Sequence, residues 1–180
     1  MPDDAPKAPA VDNSKLRLSA AAKARIRWYE NPKYAYYDDG GKPGLGNCTW
    51  GVGTLAHKGP CSAAELKTKV EATQVEAMFA SRIADAECAV CRQVTCRALS
   101  QNQFDALVSF VYNVGATGAA NVLSLVDAGD FPGAAAAISR TIYMTIQTRQ
   151  GARKVIARGL IPRRAEESAP FRAPAEEGEN

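Results

Sequence analysis

A chain of 180 residues, 46% hydrophobic and 23% charged, has the size and composition of one domain with its own core. Its formal net charge of +3 suits an anionic partner such as a cell wall, a membrane surface or nucleic acid. No basic run with interleaved aromatics is present, which argues against nucleic acid, and nothing approaches the roughly 18 consecutive apolar residues of a membrane span.

The opening "MPDDAPKAPAVDNSK" carries acids and prolines where a signal peptide would carry a basic start and an apolar core. Residues 1–15 are therefore expected to be a disordered lead-in or linker, residues 16–172 the folded domain, and 173–180 a loose polar tail. Ser19 is a hydroxyl N-cap for the alanine-rich helix "SAAAKARIRWYE", which Pro32 ends just after Glu30. From Tyr34 to about Leu55 the chain is rich in glycine and in aromatic or β-branched residues, as expected of short strands and turns forming a small sheet. "SAAE" at 62–65 is a capping box expected to open a long helix to about Cys91.

"SQNQ" at 100–103 repeats that box, and Phe104, Leu107, Val108 and Val111 follow at helical spacing as one buried face. Gly115 is the expected stop. Two or three shorter helices are expected, near 118–127, near 131–139 and around 141–149, with a last one starting at Pro162. The plan is helix, small sheet, long helix and helical bundle: α+β with helices dominant.

Five cysteines are many for a cytosolic enzyme. Cys48 and Cys61 bracket the end of the loop system and form the expected disulfide. One of the clustered Cys88, Cys91 and Cys96 stays unpaired, with connectivity otherwise open. Cys88-x-x-Cys91 has zinc-ligand spacing, but a second cluster is missing and His57, the single histidine, is distant in sequence.

Glu30 is the first candidate for chemistry. A carboxylate at a helix C-terminus opposes the helix dipole, so it gains from a nearby cation. Burial among Trp28, Tyr29 and Tyr34 would raise its pKa toward that of a general acid. Asp38 and Asp39 make ordinary Asp-Gly turn chemistry, and either could also face Glu30 as the second carboxylate that sugar-cleaving enzymes need. Spacing alone leaves both readings open.

The pattern from Glu30 to "DD", followed by "TWGVG" at 49–53, resembles the active-site signature of phage-type lysozymes, glycoside hydrolase family 24. "LSQNQFDALVSFVYNVG" (99–115) is similar to that family's central buried helix, and "GLIPRRAEE" (159–167) to its C-terminal block. The three blocks in this order span nearly the whole chain. "GKPGLGNC" lengthens the loop before Thr49, and Thr54 stands where the family commonly has histidine. The resemblance implies a two-lobed fold, a small sheet lobe and a helical lobe joined by a long helix from about residue 71.

It also implies roles. Glu30 would be the general acid, Asp39 and Thr49 the pair that positions the attacking water, and Arg164 the cation that holds Glu30. Tyr37 and Asn113 would line the sugar cleft. The implied activity is peptidoglycan hydrolysis between N-acetylmuramic acid and N-acetylglucosamine by a monomer, with no cofactor, metal or stable membrane insertion. The competing readings are a lytic transglycosylase, which needs one acid, and a catalytically silent wall-binding module, which needs none. A disulfide-rich structural protein is a third, and the cysteines are too few and too local to favour it. The implied workplace is the periplasm or cell wall, reached through a phage pore or a dedicated secretion system. An injected effector, toward which the cysteines lean, would have an immunity protein as a partner.

Overall fold

The computed structural model describes residues 11–148 and 151–172. In chain order these form α1 (Ala20–Glu30), β1 (Lys33–Asp38), β2 (Cys48–Gly51), β3 (Thr54–His57), a 3₁₀ turn (Glu65–Lys67), α2 (Ala72–Gln93), α3 (Gln101–Ala128), α4 (Phe131–Arg140), β4 (Tyr143–Thr148), β5 (Gly151–Ile156) and α5 (Leu160–Ser168), with a short 3₁₀ turn at Ala169–Phe171. The fold is α+β with helices dominant. It divides into two compact units: residues 20–85, and a helical unit built from the segment before Ala20 and the chain from Ala86 onward.

In the first unit, β1, β2 and β3 make an antiparallel sheet in sequence order. The register sets Tyr37 opposite Thr49 and Asp38 opposite Cys48. All of β2 is buried. Trp50 and Val52 share the core of this unit with Ile26 of α1 and Val75 and Phe79 of α2. The β2–β3 turn is held by Arg82 of α2, whose guanidinium donates to the carbonyls of Val52 and Gly53.

The Ser62–Glu65 capping box forms: Glu65 N donates to Ser62 Oγ (3.2 Å), and Ser62 N to Glu65 Oε2 (2.7 Å). It opens only the single 3₁₀ turn, and α2 begins later, at Ala72. The reason is a competing strand-like contact. Val70 N donates to Tyr34 O (3.0 Å), and Lys69 bridges to Ala35, which draws residues 68–70 out alongside β1.

The helical unit has α3 at its centre. Ser100 and Gln103 complete the second capping box, and Phe104, Leu107, Val108 and Val111 are buried as expected. Gly115 interrupts the helix instead of ending it. At φ 77° and ψ 163° it leaves the helical region, and the chain resumes helix at once. By length and hydropathy α3 could cross a membrane, yet its apolar residues Phe104 to Val126 are the core of this unit. Asp105 accepts from Ser19 N (3.0 Å) and Gln101 Nε2 (2.8 Å), tying the α3 start to the segment before α1.

Further expectations also need correction. Residues 141–149 do not form a helix: β4 pairs with β5 as an antiparallel hairpin, with Tyr143 opposite Ile156 and Thr145 opposite Lys154. The β-branched residues Thr141, Ile142, Thr145, Ile146 and Thr148 suit a strand, and Gly151 at φ 114° starts the return strand. Residues 149–150 lie outside the described residues. The last helix starts at Leu160, two residues before Pro162, which still falls in its first turn.

Before α1, Val11 N donates to Thr95 O (2.6 Å). Buried Asn13 donates to the carbonyls of Val94 and Arg97 (both 2.9 Å) and accepts from Leu99 N. Residues 1–10 and the tail 173–180 lie outside the described residues.

Finally, Cys48–Cys61 is a disulfide as expected, but Cys88, Cys91 and Cys96 are all free. Local structure keeps them apart. Cys88 and Cys91 stand a turn apart on α2, and the Cys91 thiol donates to Asn13 O (3.5 Å). Cys96 sits beyond the helix end, where Asp127 Oδ1 accepts from its backbone N–H (2.6 Å).

Candidate functional site

Glu30 is the last residue of α1 and is half-buried. Asn31 follows in the left-handed region at φ 42°, its N–H donating to Arg27 O (3.0 Å), and Pro32 supplies no donor. Asparagine tolerates that conformation better than most residues, so the helix ends here by local chemistry. Glu30 is thereby delivered to the start of the sheet.

Asp39 lies one residue past β1, and Thr49 is on β2 opposite Tyr37. Strand alternation puts Tyr37 and Asp39 on the same face, so Asp39 becomes the diagonal neighbour of Thr49. The Thr49 hydroxyl, buried at 4% exposure, faces Asp39 Oδ2 at 3.4 Å and Asn47 O at 3.3 Å. Both contacts are long for an O–H···O bond, typically about 2.7–2.8 Å. The hydroxyl is therefore held near the carboxylate while retaining capacity for another oxygen. Asn47 fixes Asp39 from the other side: its N–H donates to Oδ1 (2.6 Å), and its Nδ2 lies 3.4 Å from Oδ2.

Asp38 is used differently. Its Oδ2 accepts from Gly44 N (2.6 Å) and its Oδ1 from Cys61 N (2.7 Å), so both oxygens brace the loop and the disulfide-bearing segment. Between the two acids and Asn47 the chain passes very close to itself. A Cβ on Gly46 would stand 2.2 Å from Asp39 Oδ1 and 2.3 Å from Gly40 N, and Gly46 has φ 86°. Glycine is needed there for two independent reasons.

Tyr37 connects the acids electrostatically. Burial pushes its phenol above the ordinary value, the Asp39 charge pushes it further, Arg82 partly offsets this, and Glu30 adds to the rise. The field of both candidate carboxylates thus reaches one half-buried phenol. Sequence reasoning missed Asn47 and Arg82. A Gly-Asn pair in a loop, two residues before Thr49, was an available signal for Asn47, since asparagine commonly bonds neighbouring backbone. Arg82 left none, because a basic residue in a helix is ordinary.

The other two expected residues meet in the helical unit. Arg164 is buried at 1% exposure; it donates to Thr141 O (2.8 Å), to Glu167 and to Asn113 Oδ1, and its guanidinium lies 4.9 Å from the Phe110 ring centre. Burial pulls its pKa down and Glu167 pulls it back up. Arg163 donates to the second oxygen of Glu167 (3.0 Å) and to Ser109 O (3.1 Å). Asn113 is exposed, with its carbonyl turned to Arg164, so its amide N–H groups are what it can offer a ligand.

His57 is an exposed residue ion-paired with Glu65 (2.9 Å). Cys48, His57 and Glu65 lie close enough together to suggest a metal site, but Cys48 is consumed in the disulfide and cannot supply a thiolate.

Comparison with curated protein sequences gives no significant match. Among solved structures, the endolysin from Escherichia coli O157:H7 phage FAHEc1 is 28% identical with a TM-score of 0.69, over 87% of this chain and 94% of that one. The muramidase domain of SpmX from Asticaccaulis excentricus is 27% identical with a TM-score of 0.65, over 89% of this chain and 100% of that domain. A family model for phage lysozyme matches residues 28–167. The chain therefore belongs to the phage lysozyme family, glycoside hydrolases that act on the peptidoglycan of the bacterial cell wall.

Proposed function

We propose that the protein is a muramidase that hydrolyses the β-1,4 bond between N-acetylmuramic acid and N-acetylglucosamine. The observation that carries this reading is the Asp39–Thr49 pair: a carboxylate and a buried hydroxyl on one sheet face, in the same unit as Glu30. Glu30 serves as general acid, giving its proton to the leaving glycosidic oxygen. Asp39 accepts a proton from the attacking water while Thr49 Oγ1 fixes that water's direction. Water adds to the anomeric carbon as the glycosidic bond breaks, and the configuration inverts. Tyr37 and the Asn113 amide contact the sugars.

Arg164 is proposed as the cation that keeps Glu30 in place, read by a double-mutant cycle on the two residues. The Cys48–Cys61 disulfide supports work outside the reducing cytoplasm, in the periplasm or wall. Delivery as an injected effector, guarded by an immunity protein, belongs to the same proposal.

The test is mass spectrometry of fragments released from purified peptidoglycan by wild type and Glu30→Gln. Expected are fragments with reducing-end muramic acid from wild type and a rate lower by roughly 10²–10⁴ in the variant, the usual worth of a general acid. Anhydro-muramic products would make the protein a transglycosylase. Wall binding without any release would make it a silent binding module.

A further inference from the structure

The β4–β5 hairpin has an exposed surface for which the chemistry above has no use. From Phe131 to Ala165 the chain contains no acidic residue, while Arg140, Arg153, Lys154 and Arg158 are all exposed. The mild basicity of the whole chain is thus concentrated here. Among the described residues the two strands form a sheet with each other alone. Such a two-stranded ribbon is marginal in water without something to cover it. Three of its apolar side chains face solvent: Tyr143 is 55% exposed, Met144 50% and Ile156 53%. Tyr143 and Ile156 sit directly opposite each other, and with Ile161 at the start of α5 they line an open groove of about 720 Å³ whose other walls are Val155 and the cations Arg153, Lys154 and Arg158.

We propose that this hairpin is a peripheral docking surface for an anionic phospholipid bilayer. The mixture of groups selects that occupant. A polyanionic polymer would use the cations and leave Tyr143, Ile156 and Ile161 in water. A lipid surface takes both: the aliphatic and aromatic side chains enter the boundary between headgroups and acyl chains, and the guanidinium and ammonium groups pair with lipid phosphates. Tyrosine suits that depth, with an apolar ring and a hydroxyl that stays wet. Docking of this kind is reversible adsorption and requires no helix to cross the membrane.

The test is co-sedimentation of the full chain with vesicles of phosphatidylglycerol and phosphatidylcholine, and with vesicles of phosphatidylcholine alone, at low and physiological salt. Hydrolysis of soluble wall fragments serves as the check that each variant is folded. Expected is binding to the anionic vesicles only, weakened by salt. Partitioning should fall roughly thirtyfold in Arg153→Ala/Lys154→Ala, at about 1 kcal/mol per basic side chain. Ile156→Ser should bind less at both salt levels, because its contribution is not screened. Equal binding to neutral vesicles, or unchanged binding of the double variant, would overturn the proposal. So would a stable dimer in sedimentation that ignores vesicles, which would assign the exposed strand edges to a second copy of the chain.

Discussion

Replacing Cys48 and Cys61 together by alanine tests how far the sheet-bearing unit depends on its cross-link. The two cysteines are 13 residues apart in sequence. Freeing a loop of that length restores to the unfolded chain entropy worth about 3 kcal/mol at 25 °C. Cys48 is fully buried and Cys61 nearly so, and removing both sulfur atoms leaves a small void worth about 1 kcal/mol more. The expected loss is therefore about 4 kcal/mol, a large share of the stability of any single domain. The assay separates the units without labels, because Trp28 and Trp50, the chain's two tryptophans, both lie in residues 20–85. Trp50 is buried at 8% exposure, so its emission follows the packing of the sheet. Urea unfolding followed by fluorescence should shift to a markedly lower midpoint in the variant, ahead of the helical signal in far-UV circular dichroism. A fluorescence-detected unfolding free energy that falls by less than about 1 kcal/mol would refute the reasoning: the loop would then be as confined without the bond as with it, by the Asp38 hydrogen bonds alone.

Two further predictions concern the other charged clusters. Glu167→Gln leaves the buried Arg163 and Arg164 without their shared carboxylate and should cost about 3–5 kcal/mol; far-UV circular dichroism in urea reads it, and a change under 1 kcal/mol would mean that the guanidinium groups find equivalent partners elsewhere. His57 is the chain's single histidine, and its pKa is raised by its bond to the Lys58 carbonyl and by Glu65. The His57–Glu65 pair therefore contributes below the ordinary histidine value and is lost as pH rises through the raised one. An NMR titration should find a midpoint above that of the unfolded chain, and Glu65→Gln should move it down.

The fold was legible wherever local signals and packing agreed. The buried stripe of α3 and the Ser100 box were readable because periodicity and capping pointed the same way. Residues 62–71 were not, since a correct capping box was outcompeted by the pairing of Lys69 and Val70 with β1, a contact that local sequence does not announce. The β4–β5 hairpin was misread for a related reason. A helix was expected around 141–149, while the β-branched run inside the segment decided the outcome. At the site, Glu30 was legible as an acid in an unfavourable helix position and Asn47 was signalled only by its Gly-Asn loop pair, whereas Arg82 acts through a backbone contact that leaves no motif.

The adjacent acids Asp38 and Asp39 show how the structure divides what the sequence left joined. Successive residues along β1 point to opposite faces, so the two carboxylates cannot serve one purpose. Both oxygens of Asp38 accept short bonds from backbone N–H groups, one of them next to the disulfide, and a carboxylate committed in this way is poorly placed to take a proton from water. Asp39 has one oxygen fixed by Asn47, while the other meets the Thr49 hydroxyl at 3.4 Å, a distance that leaves room for a third partner. Asp38→Asn replaces one acceptor with an N–H₂ group facing an N–H donor. It should cost about 2 kcal/mol of stability, the worth of a charge-assisted bond, while the folded fraction keeps its turnover. Asp39→Asn should do the reverse: near-native unfolding in urea, but hydrolysis reduced by roughly 10²-fold or more, because the group proposed to take the water's proton is gone. Turnover per folded molecule, measured on soluble wall fragments alongside fluorescence-detected unfolding, decides between them. If Asp38→Asn abolished turnover while Asp39→Asn preserved it, the two roles would have to be exchanged, and the Asp39–Thr49 pair would be no more than a brace for the loop.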